Sequence, residues 1–207
     1  MFGNNQSKAV AVYSAAVWGV EAKIIEVEVD QRPGMIRTLV VGMADKSCLE
    51  AKERIKSALR NCDIPLPECQ VVFNLAPAQL PKSGTGFDLA MAVGLLIRRG
   101  HIKGNLFKNT VFVGELSLDG KIRPIPGVLA ITMAAKIAGF KTIIVPQVNK
   151  EEAALVEGIK IFYANHLQVV LDYLNQNHNL IAQPRTYLND HSANFEVDFS
   201  DIKGHSL

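Results

Sequence analysis

The stretch that decides the fold is Pro81-Lys82-Ser83-Gly84-Thr85-Gly86-Phe87-Asp88, with the apolar run 89–96 directly after it. The two glycines loosen the chain, and residues 87–96 are apolar almost all round, a pattern that predicts a helix buried on every side. Asp88 falls in the first turn of this helix, where a carboxylate suits the positive end of the helix dipole. The stretch therefore predicts a glycine-rich loop that leads into a buried helix.

Two strands, a turn and an amphipathic helix are predicted upstream of this loop. Residues 23–30 alternate between polar and apolar side chains, as a half-buried strand does. Residues 31–34 contain a Pro-Gly turn, so residues 36–41 are predicted to return beside that strand as a hairpin. Residues 45–61 carry apolar side chains at helical spacing, and a strand at 71–75 follows the helix.

Short strands and helices alternate downstream of the buried helix. A strand at 111–113 leads to a tight turn at Asp119-Gly120, and Pro126-Gly127 opens a helix that ends at Gly139. The remaining predicted elements are a strand at 142–145, a helix at 151–157, a strand at 159–163 and a helix at 167–174. Mixed strands and helices in this order predict an α/β protein.

Length and composition predict one domain with a tail. The 207 residues are 48% hydrophobic, which is enough for one substantial core. Residues 175–194 are rich in Asn, Gln, His, Pro and Ser and have little apolar periodicity, as linkers do. The predicted organisation is an N-terminal extension at 1–9, a domain at 10–175 and a tail at 176–207.

The net charge limits the kinds of partner that the protein can bind, and the cysteines indicate its cellular compartment. The 22 basic and 20 acidic residues give a net charge of +2, so any contact with nucleic acid requires a local basic patch. Cys48, Cys62 and Cys69 form no C-x-x-C pair, which indicates a reducing compartment. The N-terminus resembles neither a signal peptide nor a membrane span, so we expect a cytoplasmic protein without membrane contact.

Several segments, in order, resemble the N-terminal domain of the ComM/YifB type of magnesium-chelatase-like AAA+ proteins. They include Val12-Tyr13-Ser14-Ala15-Ala16, Glu26-Val27-Glu28-Val29-Asp30, Asn74-Leu75-Ala76-Pro77-Ala78 and Gly114-Glu115-Leu116-Ser117-Leu118-Asp119-Gly120. The tail segment Asp198-Phe199-Ser200-Asp201-Ile202-Lys203-Gly204 resembles the beginning of that family's AAA+ domain. The chain has no G-x-x-x-x-G-K-[ST] loop, so we expect it to be truncated before Walker A and to lack ATPase activity.

The resemblance implies a fold and a function. The implied fold is Lon-protease-like, as in some ribosomal-protein domains, with two layers, a mixed sheet on one side and helices on the other. The implied role is that of a non-catalytic domain of a ring-forming, hexameric AAA+ DNA motor, a branch-migration helicase linked to natural transformation. ATP and Mg are expected for the full-length parent and no cofactor for this part of it. The alternatives are a pure oligomerisation or protein-docking module and a degenerate Ser-Lys hydrolase.

A more distant similarity to the proteolytic domain of Lon indicates that the catalytic dyad is missing. Lon has a nucleophilic serine in the glycine-rich loop, which corresponds to Gly86, and a lysine base at the position of Leu129. A hydroxyl nucleophile is weak unless a base removes its proton, so both positions must be filled. Ser83 and Thr85 are hydroxyls in the same loop, with Lys82 or Lys136 as conceivable amines, but hydroxyls beside a helix start are more often N-caps. No catalytic residue is predicted.

Two basic clusters are candidates for DNA contact. Lys52, Lys56 and Arg60 recur every fourth residue on the helix at 45–61, with Lys46 near the same stripe, and such a ladder can meet phosphates. The alternative is a solvated helix surface, partly neutralised by Glu53. Arg98 and Arg99 form the second cluster. The alternative to DNA contact is that these cations interact favourably with the negative end of a helix dipole.

The glycine-rich loop is also a candidate for anion binding. Lys82, Ser83, Gly84, Thr85 and Gly86 precede a helix N-terminus, which is a generic anion site. Metal binding is not predicted, because the five histidines share no ligand spacing. Glu26, Glu28 and Asp30 alternate along one strand and are expected to face solvent on one side.

Overall fold

The computed structural model describes residues 9–187, which form a seven-stranded mixed sheet, a separate two-stranded hairpin and five α-helices. The strands are β1 (Val10–Trp18), β2 (Glu21–Arg32), β3 (Arg37–Val41), β4 (Gln70–Ala76), β5 (Thr110–Phe112), β6 (Glu115–Leu116), β7 (Ile122–Arg123), β8 (Thr142–Pro146) and β9 (Lys160–Ala164). The helices are α1 (Lys46–Asn61), α2 (Asp88–Arg98), α3 (Val128–Ile137), α4 (Lys150–Ala153) and α5 (Leu167–Leu174). The predicted extension before residue 9 and the AAA+-like segment 198–204 lie outside the described residues.

The large sheet has the strand order β3-β4-β2-β1-β5-β8-β9. β2 is antiparallel to both β1 and β4, whereas β3 runs parallel to β4. On the other side of β1, the strands β5, β8 and β9 are all parallel. The tight turn predicted at Asp119-Gly120 joins β6 and β7 in the small hairpin.

The predicted hairpin of β2 with β3 is wrong, because β4 lies between the two strands. β4 buries Val71, Phe73 and Leu75 on one face, and a strand with a fully buried face suits the sheet interior. β3 leaves Leu39 and Val41 exposed, which suits an edge. The hairpin partner of β2 is β1, which turns around Gly19.

Helices pack on both faces of the sheet. In β1, Val12 belongs to a core with α1, α2 and α5, whereas Ala15 belongs to a second core with α3 and α4. Successive side chains of a strand point to opposite faces, so the two cores lie on opposite sides. The mixed α/β fold is confirmed, and the two-layer description is corrected, since α3 and α4 cover part of the face that was expected to be free.

α2 is the buried helix that the glycine-rich stretch predicts. Every residue from Asp88 to Leu96 is buried. Gly94 allows this helix to approach the sheet closely, because a Cβ at this position would lie 2.6 Å from a methyl group of Val29. The local sequence thus explains both the helix and its depth in the core.

Residues 181–187 contact the domain, although the predicted tail begins at 176. The Gln183 amide donates to the Ile161 carbonyl at 2.8 Å, and the Thr186 amide donates to the Ala154 carbonyl at 3.1 Å. Leu180 packs against the larger core. None of the helices within residues 9–187 is long and apolar enough to cross a membrane.

Candidate nucleic-acid interface

α1 places four of its five cations on one outer surface. The buried residues Cys48, Ala51, Ile55, Ala58 and Leu59 define the inner face, as predicted. Lys46 lies 3.9 Å from Glu50, and Lys56 lies 3.2 Å from Glu53, and both are exposed pairs within the helix. No ion pair of Lys52 or Arg60 occurs within the described residues. Four cations therefore share this surface, which we call the α1 stripe (Lys46, Lys52, Lys56 and Arg60), and two of them have acidic neighbours.

In the second basic cluster, Arg99 is held by a contact within the protein. Arg98 and Arg99 lie at the C-terminal end of α2 and are half-buried. The Arg99 guanidinium donates to the Pro65 carbonyl just beyond α1. This contact gives Arg99 a structural role, and the negative end of the α2 dipole favours both arginines. They do not join the α1 stripe through any contact among residues 9–187.

The glycine-rich loop is tied to the start of α1. The Asp45 carboxylate caps α1 by accepting from the Cys48 amide at 2.8 Å, and it also accepts from the Gly84 amide at 3.1 Å. Burial opposes ionisation of Asp45, but these amide donors outweigh it and lower the pKa. The Cys48 thiol donates to the Gly84 carbonyl at 3.1 Å, and burial raises its pKa to about 12.

The loop does not present a free anion site. Lys82 is buried and its amine donates to the Pro77 carbonyl, so its expected role in holding an anion is corrected. The Gly84 amide is occupied by Asp45, and the Thr85 hydroxyl donates to Glu115. Ser83 and Gly84 remain exposed, and Gly86 is partly exposed. Within the described residues, the side chains that accept hydrogen bonds from Gly84 and Thr85 are the carboxylates of Asp45 and Glu115.

An ion pair that the sequence did not reveal joins α1 to α2. Arg54 donates to Asp88 through two nitrogens, Nε at 2.6 Å and Nη2 at 3.0 Å, and Asp88 also accepts from the Leu116 amide at 3.1 Å. Burial raises the pKa of Asp88, although the Arg54 guanidinium opposes this. A buried carboxylate at a helix start is the signal that could have suggested a cationic partner.

The structure supplies no alternative dyad at the positions compared with Lon. A Cβ on Gly86 would meet only the Ile125 side chain, at 3.6 Å, and Leu129 lies partly exposed on α3. Lys82 points to Pro77, and Lys136 packs beside Gly158. No hydrogen bond within residues 9–187 joins Ser83 or Thr85 to either amine. In the same range, no group of three His, Cys, Asp or Glu side chains is placed to hold a metal ion.

The mixed sheet, the glycine-rich loop and the β6–β7 hairpin define a Lon-like α/β domain. The family model described as subunit ChlI of Mg-chelatase matches residues 27–149. The chain belongs to this magnesium-chelatase-like family.

Similarity to individual proteins extends beyond the residues that the family model matches. The chain is 34% identical to competence protein ComM of Haemophilus influenzae over 197 residues, covering 93% of this chain and 38% of ComM. It is 35% identical to uncharacterised protein YifB of Escherichia coli, with the same coverage of both chains. Lon protease 2 of Bacillus subtilis is 32% identical over 60% of this chain and 22% of that protein. The chain thus spans about two fifths of the length of its ComM and YifB relatives.

Proposed function

We propose that this chain is a non-catalytic domain of a ComM-like AAA+ DNA motor and that the α1 stripe contacts the DNA backbone. The parent would be a cytoplasmic ring, hexameric through its AAA+ domain, that uses ATP and Mg for branch migration in natural transformation. The family membership and the name of the ComM relative support this assignment. The positions of Gly86 and Leu129 support a role without catalysis.

The observation that carries the proposal is the arrangement of the α1 stripe, in which Lys46 and Arg60 are exposed and Lys52 and Lys56 are half-buried. Lys52, Lys56 and Arg60 follow one another at intervals of four residues on the outer surface of a helix. The exposed pair of Lys56 with Glu53 is weak, because solvent screens such pairs to roughly 0–1 kcal/mol. DNA phosphates can therefore displace Glu53 from Lys56 at little cost.

Mobility-shift assays with the 207-residue chain test this proposal on single-stranded, double-stranded and branched DNA across a salt series. Binding should weaken as salt rises. The logarithm of the association constant should fall against the logarithm of the salt concentration with a slope of about −0.7 to −0.9 per phosphate contact. The triple variant Lys52→Glu, Lys56→Glu, Arg60→Glu should flatten that slope and lose most of the affinity.

The matched control reverses three exposed lysines elsewhere. Lys108, Lys141 and Lys160 lie at the starts of β5, β8 and β9, far along the sheet from α1. Their reversal to glutamate should leave most of the affinity intact. Absence of any shift at low salt, or an equal loss in the control, would refute DNA contact through α1.

A second candidate function, assembly of neighbouring copies, is favoured by the outer face of α3. Leu129, Met133 and Ile137 recur every fourth residue there, and Ile137 is 83% exposed. A cavity of about 510 Å³ beside them is lined by Val20, Ala22, Ile24, Ala130, Ala134 and Ala138, among others. A helix that is apolar on both faces commonly has a partner on each.

Sedimentation velocity of the 207-residue chain over a concentration series tests assembly. Self-association should appear at high concentration, and Ile137→Glu should abolish it because the new carboxylate would have to be desolvated in the contact. A monomer at every concentration, or equal association of Ile137→Glu, would rule out this use of α3.

A further inference from the structure

β3 leaves one side of its backbone available at the edge of the large sheet. Within residues 9–187, β3 pairs with β4 alone. The N–H and C=O groups of such an edge form a template to which an extended segment can add. Edges that avoid pairing are usually charged or covered. This strand carries one charged side chain, Arg37, and together with its flanks it exposes the apolar side chains of Met35, Ile36, Leu39, Val41 and Met43.

Helical spacing places two cations of the α1 stripe on the side of α1 that is nearer this edge. α1 packs over β3, and its Arg54 side chain reaches inward to Asp88 of α2. Lys52 and Lys56 are each about 160° around the helix from Arg54, at roughly 100° per residue. They therefore lie on the side of α1 that faces away from α2 and toward the β3 edge.

The two faces of the sheet consequently present different side chains at the β3 edge. Val40 points to the α1 side and packs on the larger core. Leu39 and Val41 point to the opposite face, where they remain exposed beside the half-buried Val72 of β4. Side chains of a strand added to β3 would alternate between these two faces. One set would meet the lysines, and the other set would meet apolar surface.

We propose that the β3 edge binds an extended protein segment in which acidic side chains alternate with apolar ones. The acidic side chains lie against Lys52 and Lys56, and the apolar ones lie against Leu39 and Val41. Strand addition depends on backbone hydrogen bonds to β3, which DNA does not provide in this form, so the inference goes beyond DNA contact. The chain carries a matching sequence in Phe195-Glu196-Val197-Asp198-Phe199, which supplies a probe.

The test is fluorescence anisotropy of a labelled peptide with the sequence of residues 194–202, titrated with the 207-residue chain. The peptide should bind, and a peptide of the same composition in which acidic and apolar residues no longer alternate should bind at least about tenfold more weakly. Leu39→Asp and the pair Lys52→Glu, Lys56→Glu should each weaken binding by a similar factor. The pair Lys141→Glu, Lys160→Glu lies toward the opposite edge of the sheet and should leave binding unchanged.

Hydrogen exchange provides a readout of strand addition itself. Peptide binding should slow exchange of backbone amides in residues 37–41, and Val41→Asp should reduce this protection, which keeps the test valid if Leu39→Asp fails to fold. The proposal is overturned if the permuted peptide binds equally well, if no protection appears at 37–41, or if DNA gives that protection and the peptide does not. Leu39→Asp should leave the DNA mobility shift unchanged, so failure of DNA contact and failure of peptide binding are distinguishable.

Discussion

Arg54 and Asp88 join α1 to α2 across a largely apolar core. Asp88 is fully buried and the Arg54 side chain is 17% exposed, so solvent screens this pair far less than it screens the pairs on the α1 surface. Removal of one partner from a buried pair leaves a charge without compensation, which typically costs about 3–5 kcal/mol. We expect Arg54→Met to lower the free energy of unfolding by about that amount in urea titrations at pH 7.

The pH dependence of that variant distinguishes a buried charge from lost packing. Without Arg54, burial should raise the pKa of Asp88 further, and a carboxyl whose folded pKa is raised destabilises the fold as pH increases through the interval above its unfolded value of about 3.9. The defect of Arg54→Met should therefore shrink as pH falls from 7 toward 4. The double variant Arg54→Met, Asp88→Leu should recover much of the loss. A defect that is independent of pH in the single variant would contradict this account.

At the scale of elements, α1 depends on Asp45 for its beginning and for its connection to the glycine-rich loop. The carboxylate accepts from the amides of Cys48 and Gly84, so Asp45→Ala removes a helix cap and a loop contact together. Loss of an N-cap costs about 0.5–2 kcal/mol. We expect Asp45→Ala to lower the free energy of unfolding by about 1–2 kcal/mol at pH 7.

The sign of the pH effect follows from the lowered pKa of Asp45. A carboxyl whose folded pKa is lowered stabilises the fold above its unfolded pKa of about 3.9, and this contribution is lost as pH falls through the folded value. The difference between the native chain and Asp45→Ala should thus disappear in acid urea titrations. Glu68→Ala removes an exposed carboxyl that caps no helix and should leave the free energy of unfolding close to that of the native chain. A difference that persists unchanged below pH 3 would contradict the capping role.

The sequence predicts the helices and strands better than it predicts which strands pair in the sheet. Hydrophobic periodicity identified α1, α2 and most strands, because burial of one face leaves a regular pattern in the chain itself. The pairing of β3 with β4 depends on two segments separated by α1, and the turn chemistry at Pro33-Gly34 suggested a local hairpin instead. Likewise, Lys82 has the residue type of an anion ligand, but only the packing around Pro77 shows that its amine points elsewhere.

At the scale of the whole molecule, the two edges of the large sheet differ in whether a further segment covers them. β3 pairs with β4 alone within the described residues, whereas β9 receives the Gln183 amide on the side away from β8. Polar composition suggested a linker after residue 175, and composition does not report backbone hydrogen bonds. Part of that predicted linker instead covers an edge that would otherwise be open to other strands.

Shortened chains measure how much residues 180–187 contribute to the free energy of unfolding. A chain that ends at residue 179 lacks Leu180 and the amide donors of Gln183 and Thr186, which a chain that ends at residue 187 retains. Each hydrogen bond contributes about 0.5–1.5 kcal/mol, so the shorter chain should be less stable by about 1–3 kcal/mol in urea titrations. Glu157→Ala in the longer chain removes an exposed ion pair with Arg185 but keeps the backbone of residues 180–187, and it should cost less than about 1 kcal/mol. Equal stability of the two chains would show that residues 180–187 act as a linker, as their composition suggested, and that β9 does not need them.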